Sequence, residues 1–205
     1  MEMQRKDEVL DHLRQEESEA LLRHLEARAV EALKRGRRIA VRDHAMVGVA
    51  LAGGLRASEV VTLRVQDVVL SGEGAALEVR RPRGDVRTVV MPGAIARTLR
   101  SYLAWLPTAG WSTAGEAPLF PGRGGRTITR NGAWRVWART LRAAQLEHRP
   151  LMAARHTAGR MLYRATGSLH VVQRHLGHAR VNTVAMYAET AEDDLARGLD
   201  LAWGA

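Results

Sequence analysis

The chain of 205 residues contains no cysteine, which excludes a disulfide framework and a thiolate metal site. It also lacks an uninterrupted apolar run long enough to cross a bilayer, and it starts with charged residues, Met1 to Glu8, unlike a signal peptide. Cytoplasmic residence with no membrane partner is the expectation. Lysine is nearly missing: Lys6 and Lys34 are the only two, and the other basic side chains apart from histidine are all arginine. A GC-rich coding genome accounts for that bias as a whole. Arginine nonetheless suits phosphate, because its planar fork donates two hydrogen bonds to one group. What is present is apolar content and positive charge. At 46% hydrophobic the chain can build a core, which argues against disorder. A formal charge of +9 favours an acidic polymer as partner, nucleic acid ahead of an anionic membrane.

Periodicity predicts one mostly helical domain. Residues 16–33 read as a helix with Leu21, Leu22, Leu25, Val30 and Leu33 on its apolar face, closed by the cations of residues 35–38. A largely buried helix over 42–52 ends at Gly53-Gly54, and a short one covers 57–64. Three β-rich stretches, 65–70, 75–80 and 86–91, separated by turns at 71–74 and 82–85, predict a small antiparallel sheet. Helix returns over 94–106, and a Gly- and Pro-rich loop follows to about residue 125. Further helices are expected over 131–144, 152–165, 169–176, 181–188 and 191–201, with Ser168 as an N-cap and Gly177 as a C-terminal stop. The fold class is mainly α with a small three-stranded antiparallel β-sheet.

Two boxes carry chemistry. The first runs Gly54-Leu55-Arg56-Ala57-Ser58-Glu59, followed by Leu63 and Asp67. The second joins Arg155-His156-Thr157 to Leu176-Gly177-His178 and then Tyr187, with His178 23 positions after Arg155 and Tyr187 nine after His178. In this order and spacing they resemble the tyrosine recombinase (phage integrase) family. The Pro118-Leu119-Phe120 loop and the strand pair after Asp67 also fall in the family's order. The likeness runs from about residue 14 to the end and implies the family's catalytic-domain fold. It leaves 1–13 as an N-terminal extension and no N-terminal core-binding domain; the catalytic domain, 14–205, includes a tail helix over 190–205.

Cutting a phosphodiester with a side-chain hydroxyl builds negative charge on a five-coordinate phosphorus, and fixed positive groups lower that barrier. The resemblance implies that Arg56 and Arg155 clamp the non-bridging oxygens and His178 donates a further hydrogen bond. Tyr187 is then the nucleophile, leaving a 3′-phosphotyrosine and a free 5′-hydroxyl. Glu59 and His156 support the arginines. No metal or other cofactor is called for; the partner is double-stranded DNA, and self-association on it as dimer or tetramer is expected. Arg37, Arg38, Arg81, Arg123, Arg126, Arg130, Arg135 and Arg139 are candidate DNA contacts. The tail, with Leu195, Leu199, Leu201 and Trp203, either docks on a neighbouring protomer or folds onto its own domain.

Each residue taken singly has a plainer reading. Glu59 can be a helix-capping partner, Tyr187 a core tyrosine, and His178 a group facing a helix dipole, while 169–188 can pass for a helix-turn-helix. Two positions depart from the family. Its histidine three residues before the second arginine falls on Met152, which neither donates to phosphate nor transfers a proton. Its β-turn lysine falls within Arg80-Arg81-Pro82-Arg83-Gly84, where Arg83 is the best match and Arg81 the second. An arginine there holds phosphate but is a poor general acid at neutral pH. Site-specific recombination or integration is therefore the leading reading. A degenerate recombinase that binds without cutting is the alternative, with a type IB topoisomerase-like nicking enzyme as the third.

Overall fold

The structure, a computed structural model, describes residues 12–80 and 84–177. Among these residues the chain runs α1 (Gln15–Lys34), α2 (Arg38–Gly53), α3 (Ala57–Thr62), β1 (Val68–Ser71), β2 (Gly74–Arg80), β3 (Val86–Met91), α4 (Gly93–Trp105), α5 (Arg130–Ala143), α6 (Met152–Thr166) and α7 (Leu169–Leu176). The strands form one antiparallel sheet in the order β1-β2-β3, as the sequence predicts. The helices expected over 181–188 and 191–201 lie outside the described residues. No helix among the described residues is long and apolar enough to cross a membrane.

The centre of the domain is α2. Val41, Ala45, Met46, Val47, Val49, Ala50 and Leu51 are all buried, so its apolar run from Ala45 onward is enclosed, with α1, α4, α6 and β3 packed around the helix. A helix apolar all round is stable only inside a core. It starts four residues earlier than its apolar run suggests, because the chain turns at Gly36 (φ 64) and Arg38 then stacks over Trp111 while its Nη1 donates to the Ala109 carbonyl. The face assigned to α1 also shifts. Leu21, Leu25, Ala29 and Ala32 are buried, whereas Val30 and Leu33 are exposed; small alanines let α1 approach α2 closely, and the larger side chains fall outside that seam.

The stretch 65–70 is not one strand. Residues Val65–Asp67 form a 3₁₀ turn, since Asp67 Oδ2 accepts from the Arg64 N–H and draws the backbone into a turn before β1 starts. β1 and β2 join through Gly72-Glu73, with Gly72 at φ 49, the positive value that a two-residue hairpin needs at its first central position. Along β3 the alternation puts Arg87, Val89 and Met91 on the inner face. The 118–121 loop is pinned to the core rather than loose: Leu119 and Phe120 are buried, and Tyr102 Oη donates to the Leu119 carbonyl at 2.8 Å. The buried Arg42 holds the Pro121 carbonyl at 2.8 Å.

The last two described helices position the site. Ala158 of α6 packs with Val172 and Leu176 of α7. Ser168 Oγ accepts from the Val171 N–H at the start of α7, and Gly177 closes it in the left-handed conformation (φ 68). Both caps agree with the sequence reading.

Candidate active site

The first box begins where α2 ends. Gly54 is left-handed (φ 57) and reverses the chain, and Leu55 behind it is buried. A Cβ on Gly54 would lie 2.4 Å from Leu176 Cδ2 and 3.1 Å from Ala158 Cβ. Glycine is thus required twice, for backbone conformation and for close approach of α6 and α7. Arg56 is the N-cap of α3, and Glu59 reaches back so that its Oε2 accepts from the Arg56 N–H at 2.8 Å. The capping role for Glu59 is real, and it is only part of what the residue does.

Glu59 is 4% exposed and gathers guanidiniums from three elements. Arg56 Nη1 is 3.3 Å from its Oε1; Arg87 Nη2 of β3 is 3.0 Å from its Oε2; Arg155 Nη1 of α6 lies 4.0 Å from Oε2. Among the described residues, three guanidiniums are thus gathered around this one carboxylate. Arg155, 2% exposed, donates from Nη1 to the Gly54 carbonyl and from Nη2 to the Leu176 carbonyl, both at 2.7 Å. These are the terminal carbonyls of α2 and α7, where helix dipoles concentrate negative charge. The Arg56 side chain is 40% exposed and opens the cluster to solvent.

Beside the cluster, His175 Nε2 lies 3.1 Å from the Ala52 carbonyl. A carbonyl only accepts, so the ring carries its proton on Nε2. Burial pushes its pKa below the usual histidine value, the Ala52 hydrogen bond works against that, and the charges of Arg87 and Arg155 add to the lowering. Neither Arg87 nor His175 was singled out from sequence. The alternation of β3 does carry a signal for Arg87, because a charged residue at an inward position demands a buried partner.

The other sequence-nominated residues are spread more widely. Met152 opens α6 with 45% exposure. His156 is half-buried and within electrostatic reach of His12, on the side of α6 where the chain enters α1. There Leu13 N–H donates to Thr157 Oγ1 at 2.8 Å. His178, Tyr187, Arg81 and Arg83 lie outside the described residues. Among the arginines nominated for DNA, Arg139 pairs with the buried Asp43 at 2.5 Å and Arg38 is held by Ala109 and Trp111. Arg37 is exposed at the N-cap of α2. Arg123, Arg126, Arg130 and Arg135 are exposed without an ion-pair partner among the described residues. No group of three metal-ligating side chains occurs among the described residues.

A mainly helical domain with a three-stranded sheet and this arginine cluster defines the class. The chain belongs to the phage integrase family, whose model matches residues 11–193. It is 32% identical over 159 residues to tyrosine recombinase XerD of Ralstonia nicotianae, covering 77% of this chain and 51% of that protein. In fold it is similar to the XerH site-specific recombinase in a post-cleavage complex with its palindromic difH substrate (TM-score 0.76, 20% identity, 92% of this chain and 52% of that one). The XerA recombinase is similar to the same degree (TM-score 0.76, 22% identity, 93% and 64%). The chain spans about half the length of the curated relatives it matches. Its fold is that of the tyrosine recombinase catalytic domain.

Proposed function

We propose that this chain is the catalytic part of a site-specific DNA recombinase that breaks and rejoins strands through a 3′-phosphotyrosine. The observation that carries the reading is the convergence of Arg56 and Arg155 on Glu59, with the Arg155 fork fixed by the terminal carbonyls of two helices. Guanidiniums held in place in this way favour an anion, and a pentacoordinate phosphate is the anion the family's chemistry requires. In this scheme Tyr187 Oη gives up its proton and bonds to phosphorus as the bond from phosphorus to the 5′-oxygen breaks, and the leaving 5′-oxygen takes up one proton in exchange, so that none is gained or lost overall. Arg56, Arg155 and His178 stabilise the charge on the non-bridging oxygens. Attack by a second 5′-hydroxyl reverses the step and joins a new partner. Double-stranded DNA is the substrate, met by the exposed Arg123, Arg126, Arg130 and Arg135, with copies of the chain associating on it.

Met152 and Arg83 stand where the family has a histidine and a lysine, so cleavage is expected to be slow. The exposed thioether of Met152 also favours a second reading, a protein that binds DNA and does not cut it. The test uses a nicked duplex carrying the sequence this protein itself selects from a random pool. A covalent adduct with the wild-type chain and none with Tyr187→Phe supports the proposal. Tight binding with no adduct supports the second reading, and an undiminished adduct in Tyr187→Phe rejects the assignment of the nucleophile.

A further inference from the structure

Arg87 has no part in the chemistry set out above, yet it is one of the most constrained charges in the domain. It lies on the inner face of β3 and is 5% exposed. Burying a guanidinium is costly unless it is paired and hydrogen-bonded. Here the fork is divided: Nη2 meets Glu59 Oε2 at 3.0 Å, and Nη1 donates to the His175 carbonyl. The next carbonyl along, that of Leu176, is the one held by Arg155. Two buried arginines from different elements therefore grip consecutive carbonyls at the end of α7, and both face the same carboxylate. Directly beyond, Gly177 turns the chain in the left-handed conformation with its N–H on the Gln173 carbonyl, and the next residue in sequence is His178.

We propose that Arg87 is a positioning residue for the phosphate clamp. By tying Glu59 to the end of α7 it fixes both the carboxylate that orients Arg56 and Arg155 and the point from which the chain leaves toward His178. It touches no reacting atom itself. The inference rests on the cleavage reading above. A lysine cannot replace it, because a single ammonium is a point charge without the planar fork that spans two acceptors in different directions.

The test compares wild type, Arg87→Lys and Arg87→Gln on the nicked duplex chosen by the protein, made once with a normal scissile phosphodiester and once with a methylphosphonate there. Replacing a charged non-bridging oxygen by methyl lowers the demand for positive charge around phosphorus. A defect that arises in the clamp must then shrink, whereas a defect from a loosened fold stays the same on both linkages. Arg87→Gln is expected to bind the duplex as tightly as wild type and to cleave the phosphodiester about 100-fold more slowly, the scale on which a misplaced reacting geometry acts. Its loss on the methylphosphonate is expected to be much smaller, with Arg87→Lys between the two. Equal losses on both linkages, or a folded Arg87→Lys that cleaves both at the wild-type rate, overturn the role of Arg87 alone. If Arg87→Gln does not fold, Arg87→Lys decides by the same comparison. A wild-type chain that binds the duplex and cleaves neither linkage overturns the cleavage reading, and this inference with it.

Discussion

Glu59 is a carboxylate at 4% exposure whose partners come from α3, β3 and α6. Removing it takes the Glu59 carboxylate away from the buried guanidinium of Arg87. Glu59→Ala is therefore expected to cost about 3–5 kcal/mol, the usual result of breaking a buried ion pair from one side. Glu59→Gln should cost less, because its amide oxygen still accepts. Urea unfolding of the three proteins checks the order. Met152 presents the opposite case: at 45% exposure it tolerates substitution, so Met152→His should leave stability nearly unchanged. If the position faces the scissile phosphate, the variant gains a donor and should cleave faster, by about 10²-fold if it acts as an acid–base partner. A single-turnover rate equal to wild type would show that the side chain stands clear of the reaction.

At the level of elements, the meeting of α2, α6 and α7 at Gly54 is the tightest constraint. Gly54→Ala combines a left-handed backbone with a Cβ 2.4 Å from Leu176 Cδ2, so about 2–4 kcal/mol of destabilisation is expected from strain and overpacking together. Thermal melting measures it, and strand cleavage should fall with it, because Arg155 binds the Gly54 carbonyl. Most elements were legible in the sequence, since long apolar periodicities and the caps at Ser168 and Gly177 are local signals. The start of α2 and the 3₁₀ turn at 65–67 were not, because a stacking contact with Trp111 and a side-chain bond from Asp67 decided them. The same divide holds for the site. Arg56, Glu59 and Arg155 stand out through motif spacing. Arg87 and His175 gain their meaning from partners 28 and 123 positions away, which no window on the sequence contains.

At the scale of the whole molecule, three half-buried histidines among the described residues share one direction of shift. His12 is pushed down to about 4, first by burial and then by Arg160, Arg149 and His156, against the pull of Glu17. His44 and His175 are lowered mainly by burial. The unfolded chain takes up these protons near the ordinary value of about 6.5, while the native state resists them. Their contribution to stability is thus fully present above that value and is lost as pH falls toward 4. Denaturant midpoints at pH 7.5, 6 and 5 should decline in that order, and His12→Gln should flatten the decline. Midpoints independent of pH over this range would contradict the environments described for these rings.

The account as a whole turns on one covalent bond. After reaction of the wild-type chain with its nicked duplex, exhaustive nuclease and trypsin digestion should release the peptide spanning residues 181–197 with a nucleotide 3′-phosphate on Tyr187. The complementary DNA product should carry a free 5′-hydroxyl, and mass spectrometry identifies both. An unmodified 181–197 peptide from DNA that has been cut, or a nucleotide attached to any other residue, would contradict the account.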